Sequence, residues 1–239
     1  PEVVGMEGNT LIGQDVTRQV QVNFEVNLLQ QRYQAIKLAN AELQGAANFE
    51  GVFSCFGQQL ERIFPSMVTV VLSYNAADGF ITVEGIFGIQ HKTWESLIFD
   101  LGWNPVGRRF LLHDKDKHAI KSAAAYRVNE SFTGIMEGYI SMSASKIIER
   151  YINIEAIYAE GLVSGNHMYG GVLLLKPEPA DEPDLTLLEE LASVAVNTIQ
   201  RIDTAEGLQQ QIFTLKSKIE QKDELFSQLS HQLRTPLNA

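Results

Sequence analysis

Residues 184–235 constrain this chain more than any other stretch. Apolar side chains recur there at three- and four-residue intervals, with no proline among them. Only an α-helix places residues so spaced on one face. Leu188, Leu191, Ala195, Ile199 and Ile202 form one stripe, and Ile212, Leu215, Ile219, Phe226, Leu229 and Leu233 form another. Carried backwards, the second stripe reaches Leu208; carried forwards, the first reaches Gln209. The two registers therefore disagree near Gly207. Such a mismatch locally unwinds or overwinds a coiled coil, and a glycine there weakens the helix by roughly 1 kcal/mol relative to alanine. Two readings stand: a switchable junction between a domain and its output, or a plain break between a domain helix and a linker helix.

Residues 16–44 show the same habit. Val22, Val26, Leu29, Tyr33, Ile36 and Leu43 alternate intervals of four and three, with Asn40 in the one gap. This is a heptad seam, and the expectation is a coiled-coil linker helix in a parallel homodimer, with Asn40 fixing register. An amphipathic helix packed on its own domain is the alternative.

Between the two helices, residues 45–179 read as a globular core. Asn48 is placed to cap a helix that runs to Phe64 and stops at Pro65. Val68–Tyr74 and Phe80–Ile89 alternate as strands around Asn75-Ala76-Ala77-Asp78-Gly79, a hairpin turn. Trp94–Leu101 and Ala119–Val128 are expected to be helical, and Phe110-Leu111-Leu112 is a short apolar run. Ile154–Leu162 and Tyr169–Leu175 read as late strands. Strands first, helices between and strands last define an α+β class, an antiparallel sheet with flanking helices set between two long coiled-coil helices.

Composition removes several function classes. The formal net charge of −10 would repel a phosphate backbone, so no nucleic acid is expected as a partner. A single cysteine, Cys55, excludes an intrachain disulfide framework and a cysteine-rich metal site; no metal site is expected. No apolar run approaches the roughly 20 residues of a membrane-spanning helix, and the N-terminus lacks the pattern of a signal peptide, so a cytoplasmic location is expected. With no initiator methionine and an abrupt end at Ala239, the chain reads as a piece of something longer.

The chemistry-bearing motif is Ser230-His231-Gln232-Leu233-Arg234-Thr235-Pro236-Leu237-Asn238. A neutral imidazole near the end of a dimerising helix is an adequate nucleophile at neutral pH. Pro236 removes a backbone donor and bends the helix beyond it. From Lys222 to Ala239 the chain resembles the H-box of sensor histidine kinases, the start of the dimerisation and phosphotransfer domain (residues 222–239). The resemblance implies that His231 accepts the γ-phosphoryl group of ATP and passes it to the receiver domain of a response regulator. Gln232 stands where the family usually carries an acid that activates the histidine. An amide cannot take up a proton at neutral pH, so Gln232 could only hold the ring by hydrogen bonding. Thr235 matches the family position that directs water during dephosphorylation of the regulator, and Arg234 suits phosphate contact. The nucleotide-binding boxes of the family are not within these 239 residues. ATP and Mg therefore belong to the parent enzyme the resemblance implies, and this stretch is not expected to be an active kinase alone.

Residues 45–179 look like a GAF domain, on the order helix, hairpin, irregular middle, and the ending Ile157-Tyr158, Gly161-Leu162 and Gly170-Gly171-Val172-Leu173-Leu174. Residues 1–15, with Asp15-Val16-Thr17 after them, look like the last strand and exit of a PAS domain. Residues 180–221 are then a signalling helix. GAF domains hold small ligands between sheet and middle helices. Cys55 has no adjacent histidine, so a covalently attached bilin is not expected; a cyclic-nucleotide pattern is lacking. Haem would need His91, His113, His118 or His167, and is not favoured. Weak ligand-binding candidates are Trp103, Arg108, Arg109 and His113. The reading is a cytoplasmic sensory and signal-transmission portion of a two-component histidine kinase. The alternative is a non-catalytic ligand-binding or dimerisation module whose last helix only resembles the H-box.

Overall fold

A computed structural model describes residues 29–237 apart from residues 31, 122 and 123; the side chains of residue 119 and of residues 227–237 are not described. The proposed PAS ending (1–15), Val22 and Val26 fall outside the described residues.

Helix α1 covers residues 32–44. Its last turns pack on the domain itself: Ala39 and Leu43 are fully buried and Ile36 leans on the same cluster, whereas Leu29 and Tyr33 are exposed. Ala39, not Asn40, fills the inward position. Asn40 is exposed, and its side-chain oxygen accepts from Gln44. Helix α2 (Phe49–Ile63) begins as expected at Asn48, whose Oδ1 accepts from the Gly51 amide at 2.9 Å. Strands β1 (Val68–Asn75) and β2 (Phe80–Phe87) pair antiparallel across the expected turn. There Asn75 and Asp78 accept from the amides of Ala77 and Phe80.

The middle is more regular than the sequence suggests. It holds α3 (His91–Leu101), β3 (Arg109–Leu111), α4 (Asp114–Lys121), β4 (Tyr126–Val128), α5 (Phe132–Ile135) and α6 (Met142–Ile152). The helix expected over Ala119–Val128 is corrected. Helix α4 starts earlier, with Asp114 and Asp116 at its positive end and Lys121 at its negative end. Tyr126–Val128 is instead a strand, because the free edge of the next strand offers its backbone three partners. Strands β5 (Ile154–Ser164) and β6 (His167–Pro177) follow, then α7 (Leu185–Leu237), capped by Asp184 Oδ1 on the Leu187 amide.

All six strands join one antiparallel sheet in the order β3-β2-β1-β6-β5-β4, so the first and last long hairpins meet at its centre. Alternation along each strand sends side chains to two faces. On one face α1, α2 and α7 cover Val71, Tyr158, Leu162, Val172 and Leu174. On the other, α3, α5 and α6 cover Val68, Ile157 and Leu175. Leu188, Leu191 and Ile199 of α7 are at most 1% exposed, each contributing about 1.5–3 kcal/mol by burial. The first stripe of α7 is thus spent on its own sheet. Burial stops at Ile202; Leu208, Ile212, Leu215, Ile219 and Phe226 are more than half exposed.

Candidate functional site

A cavity of about 380 Å³ lies between the sheet and the middle helices. Its floor is Val70 and Leu72 of β1, Ile81 and Val83 of β2, Ala159 of β5, and Leu173 and Leu175 of β6. The irregular step in register at Val71/Leu72 opposite β2 brings Ile86 to the same side as Ile81 and Val83. Its roof comes from Leu97 of α3, Phe132 and Ile135 of α5, and Ile148 and Ile152 of α6. Trp103, Phe110, Tyr126 and Tyr139 add aromatic surface. Helix α4 approaches closely because β5 carries Gly161 there: a Cβ at that position would meet the Ile120 carbonyl oxygen at 2.2 Å.

Polar groups gather at one corner. Tyr139 donates its hydroxyl to Asp116 Oδ2 at 2.6 Å and accepts from the His113 amide at 3.1 Å. The His113 ring stacks on Tyr139 with centroids 4.5 Å apart. Burial, then the bond to Asp116, push the Tyr139 phenol up to about 12. Tyr126 is raised too, first by burial and then by the charges of Asp116 and Glu160. Among the described residues no Lys, Arg or His lines the cavity.

The candidates named from sequence are therefore split. Trp103 lines the cavity. Arg108 and Arg109 do not: Arg108 is exposed with its guanidinium 4.4 Å from the Trp103 ring centre, and Arg109 pairs with Asp78 and lies over Phe80. His113 backs Tyr139 without reaching the cavity wall. The other histidines offered for haem also lie elsewhere. His91 opens α3, His118 holds the Asp114 carbonyl and His167 stacks on Tyr169. Cys55 belongs to α2 on the opposite face, its thiol raised by burial. His231, Gln232 and Thr235 lie on α7 by their backbone; their side chains are outside the described residues. Among the described residues no group of His, Cys, Asp and Glu could hold a metal ion, and no helix is long and apolar enough to cross a membrane.

Two features escaped sequence reasoning. Asp116 sits in the run Asp114-Lys115-Asp116-Lys117-His118, which reads as a solvated surface. Glu160 left a clearer signal, an acid inside the strand run Ile157–Leu162. It is 7% exposed, on the face opposite the cavity, beneath α7. Its Oε2 is buried without a hydrogen-bond partner, and burial together with the Glu189 charge pushes its pKa up to about 7. Glu189 itself accepts from the Ala125 amide at 3.0 Å.

No family model matches the chain, and no curated protein matches it. Solved structures do. The chromophore-binding domain of an unusual bacteriophytochrome from R. palustris aligns with TM-score 0.53 at 13% identity, covering 74% of this chain and 63% of that one. The chain thus spans just under two thirds of that structure. A methyl-accepting chemotaxis protein aligns with TM-score 0.50 at 13% identity, covering 72% of this chain and 99% of that one. The GAF domain of the cyanobacteriochrome TePixJ aligns with TM-score 0.50 at 11% identity, over 68% and 95%. The fold is GAF-like: α+β, one antiparallel sheet with helices on both faces and a long helix leading out.

Proposed function

We propose that the chain is the sensory and signal-transmission portion of a two-component sensor histidine kinase, working as a parallel homodimer in the cytoplasm. The observation that carries the reading is the bare stripe of α7. Leu208, Ile212, Leu215, Ile219 and Phe226 stay exposed at heptad-like spacing, and the same helix runs on to the segment that resembles an H-box. A single helix leaving apolar residues in water gains most by pairing with a second copy. The floor of the cavity and the seat of α7 are opposite faces of the same strands: Leu173 and Leu175 face the cavity, Val172 and Leu174 face α7. A ligand that fits one shape of the sheet better than another would bias how α7 sits, and only through that difference in affinity. The bias reaches His231 as a change in helix packing. There the imidazole nitrogen attacks the γ-phosphorus of ATP held by another domain, ADP leaves, and the phosphoryl group passes to a receiver-domain aspartate. The test joins this chain at Ala239, in helical register, to the second hairpin helix and nucleotide-binding domain of a histidine kinase. Acid-labile phosphate on His231, absent in His231→Ala, is expected; a dimer that never labels that residue overturns the proposal.

A further inference from the structure

Resting on the reading of the cavity as the sensory pocket, we infer that its ligand is an organic amine. The ammonium group would sit on Asp116 among aromatic rings, with an apolar body against the sheet. Three observations carry this. First, the sign of charge: Asp116 and Glu130 line the cavity, and among the described residues no cation does. Cations adjoin lining residues in sequence without lining the cavity themselves: Arg108, Arg109, Lys121 and Arg127 are exposed, and Lys117 pairs with Asp114. An anionic ligand would enter with its charge unpaired, which is strongly unfavourable in an apolar cavity. Second, the acceptor is free to act. A carboxylate has about four acceptor positions; on Asp116 Tyr139 takes one, and the His113 ring Nδ1 lies 3.8 Å from the same Oδ2, which leaves Oδ1 unengaged. Tyr139 also fixes the orientation of that carboxylate, because its own hydroxyl is anchored by the His113 amide. Third, the aromatic lining: Trp103, Phe110, Tyr126 and Tyr139 line the same cavity as Asp116, and Phe110 and Tyr139 meet edge to face at 6.1 Å. Aromatic faces attract an ammonium group at exposed sites and more strongly as water leaves; the Asp116 side chain is 33% exposed, so the head would enter at the rim of the cavity. The remaining surface is aliphatic, and the volume of about 380 Å³ falls at the small end of ligand pockets. It suits a compact apolar body with one polar head.

The test uses three compounds of one shape: tryptamine as the ammonium, tryptophol as the neutral alcohol and indole-3-propionate as the anion. Each is titrated calorimetrically into the 239-residue chain and into Asp116→Asn. Tryptamine is expected to bind at least about tenfold more tightly than tryptophol, with no measurable binding of the propionate. In Asp116→Asn the preference for tryptamine should vanish while tryptophol binding persists, which also certifies that the variant is folded. Equal or tighter binding of the propionate, or a tryptamine preference that survives Asp116→Asn, overturns the amine assignment and leaves the pocket reading intact. Uptake of none of the three overturns the assignment and the pocket reading together. Circular dichroism of Asp116→Asn separates that result from unfolding.

Discussion

Replacing Glu160 by glutamine should remove a loss of stability that the wild type suffers as pH rises towards neutrality. The carboxyl lies under α7, almost wholly buried, with Oε2 unpaired and Glu189 as the charge facing it from the helix; Tyr126 stands on the neighbouring strand. Its folded pKa is raised from 4.5 to about 7. The folded state therefore holds the proton more tightly than the unfolded chain does. Stability is full below pH 4.5 and is lost as pH rises, the loss being complete once pH exceeds about 7. One pKa unit corresponds to about 1.4 kcal/mol, so the lost stability is on the order of 3 kcal/mol. Glutamine keeps the shape and carries no charge. Urea unfolding of both proteins from pH 5 to 8.5 should show the variant gaining about 2–3 kcal/mol on the wild type across that range. Glu189→Gln should shrink the wild-type slope by removing the smaller cause. A difference between Glu160→Gln and wild type that stays flat with pH would refute the reasoning, because no other change was made to a titrating group.

Three further outcomes follow from close contacts and from their absence. Gly161→Ala drives a Cβ to 2.2 Å from the Ile120 carbonyl oxygen, so α4 must shift; thermal unfolding should show a loss of about 1–3 kcal/mol. Gly207→Ala meets nothing within 4 Å in a continuous helix, and should stabilise α7 by roughly 1 kcal/mol, read as added helicity by circular dichroism. Ile212→Asp together with Ile219→Asp places charge on the bare stripe and should weaken dimerisation by about 100-fold in sedimentation equilibrium, with the unfolding midpoint of the domain unchanged.

Local signals were legible where they name a conformation by themselves. Asn48 caps α2, the Asn75–Gly79 turn closes the first hairpin, and the β5–β6 hairpin was readable from its apolar runs. Helix α4 was not, since eight mostly charged residues show no apolar face and take their helix from charge at its ends and from packing on Gly161. The spacing of Ala144, Ile148 and Ile152 marks α6, yet in an irregular stretch its short length hid it. The partnership of β1 with β6, which builds the floor of the cavity, depends on contacts between residues a hundred positions apart and leaves no local trace. The acid corner was hidden for the same reason. Asp116 becomes part of a pocket only after Tyr139, from a different segment, closes on it.

The break in register near Gly207 now has a structural meaning. At 100° per residue, the stripe from Leu188 to Ile202 and the stripe from Leu208 to Phe226 face directions roughly 130° apart. The first is buried on the helix's own sheet and the second is bare. Two stripes that answer to different surfaces have no reason to share a register. The plain reading, a domain helix continued by a linker helix, therefore accounts for the mismatch without two coiled-coil packings of equal energy. For the function proposed above, it also changes where a signal must act. Because the first stripe grips the sheet and the second faces elsewhere, turning α7 on its seat would carry the bare stripe with it, as one rigid helix. The lever for such a turn is the sheet-facing surface, where Glu160 meets Glu189 and where Val172 and Leu174 back the cavity floor. On this reasoning Gly207 is not the source of the motion but a weak point along its path, able to absorb part of a rotation before it reaches residue 231.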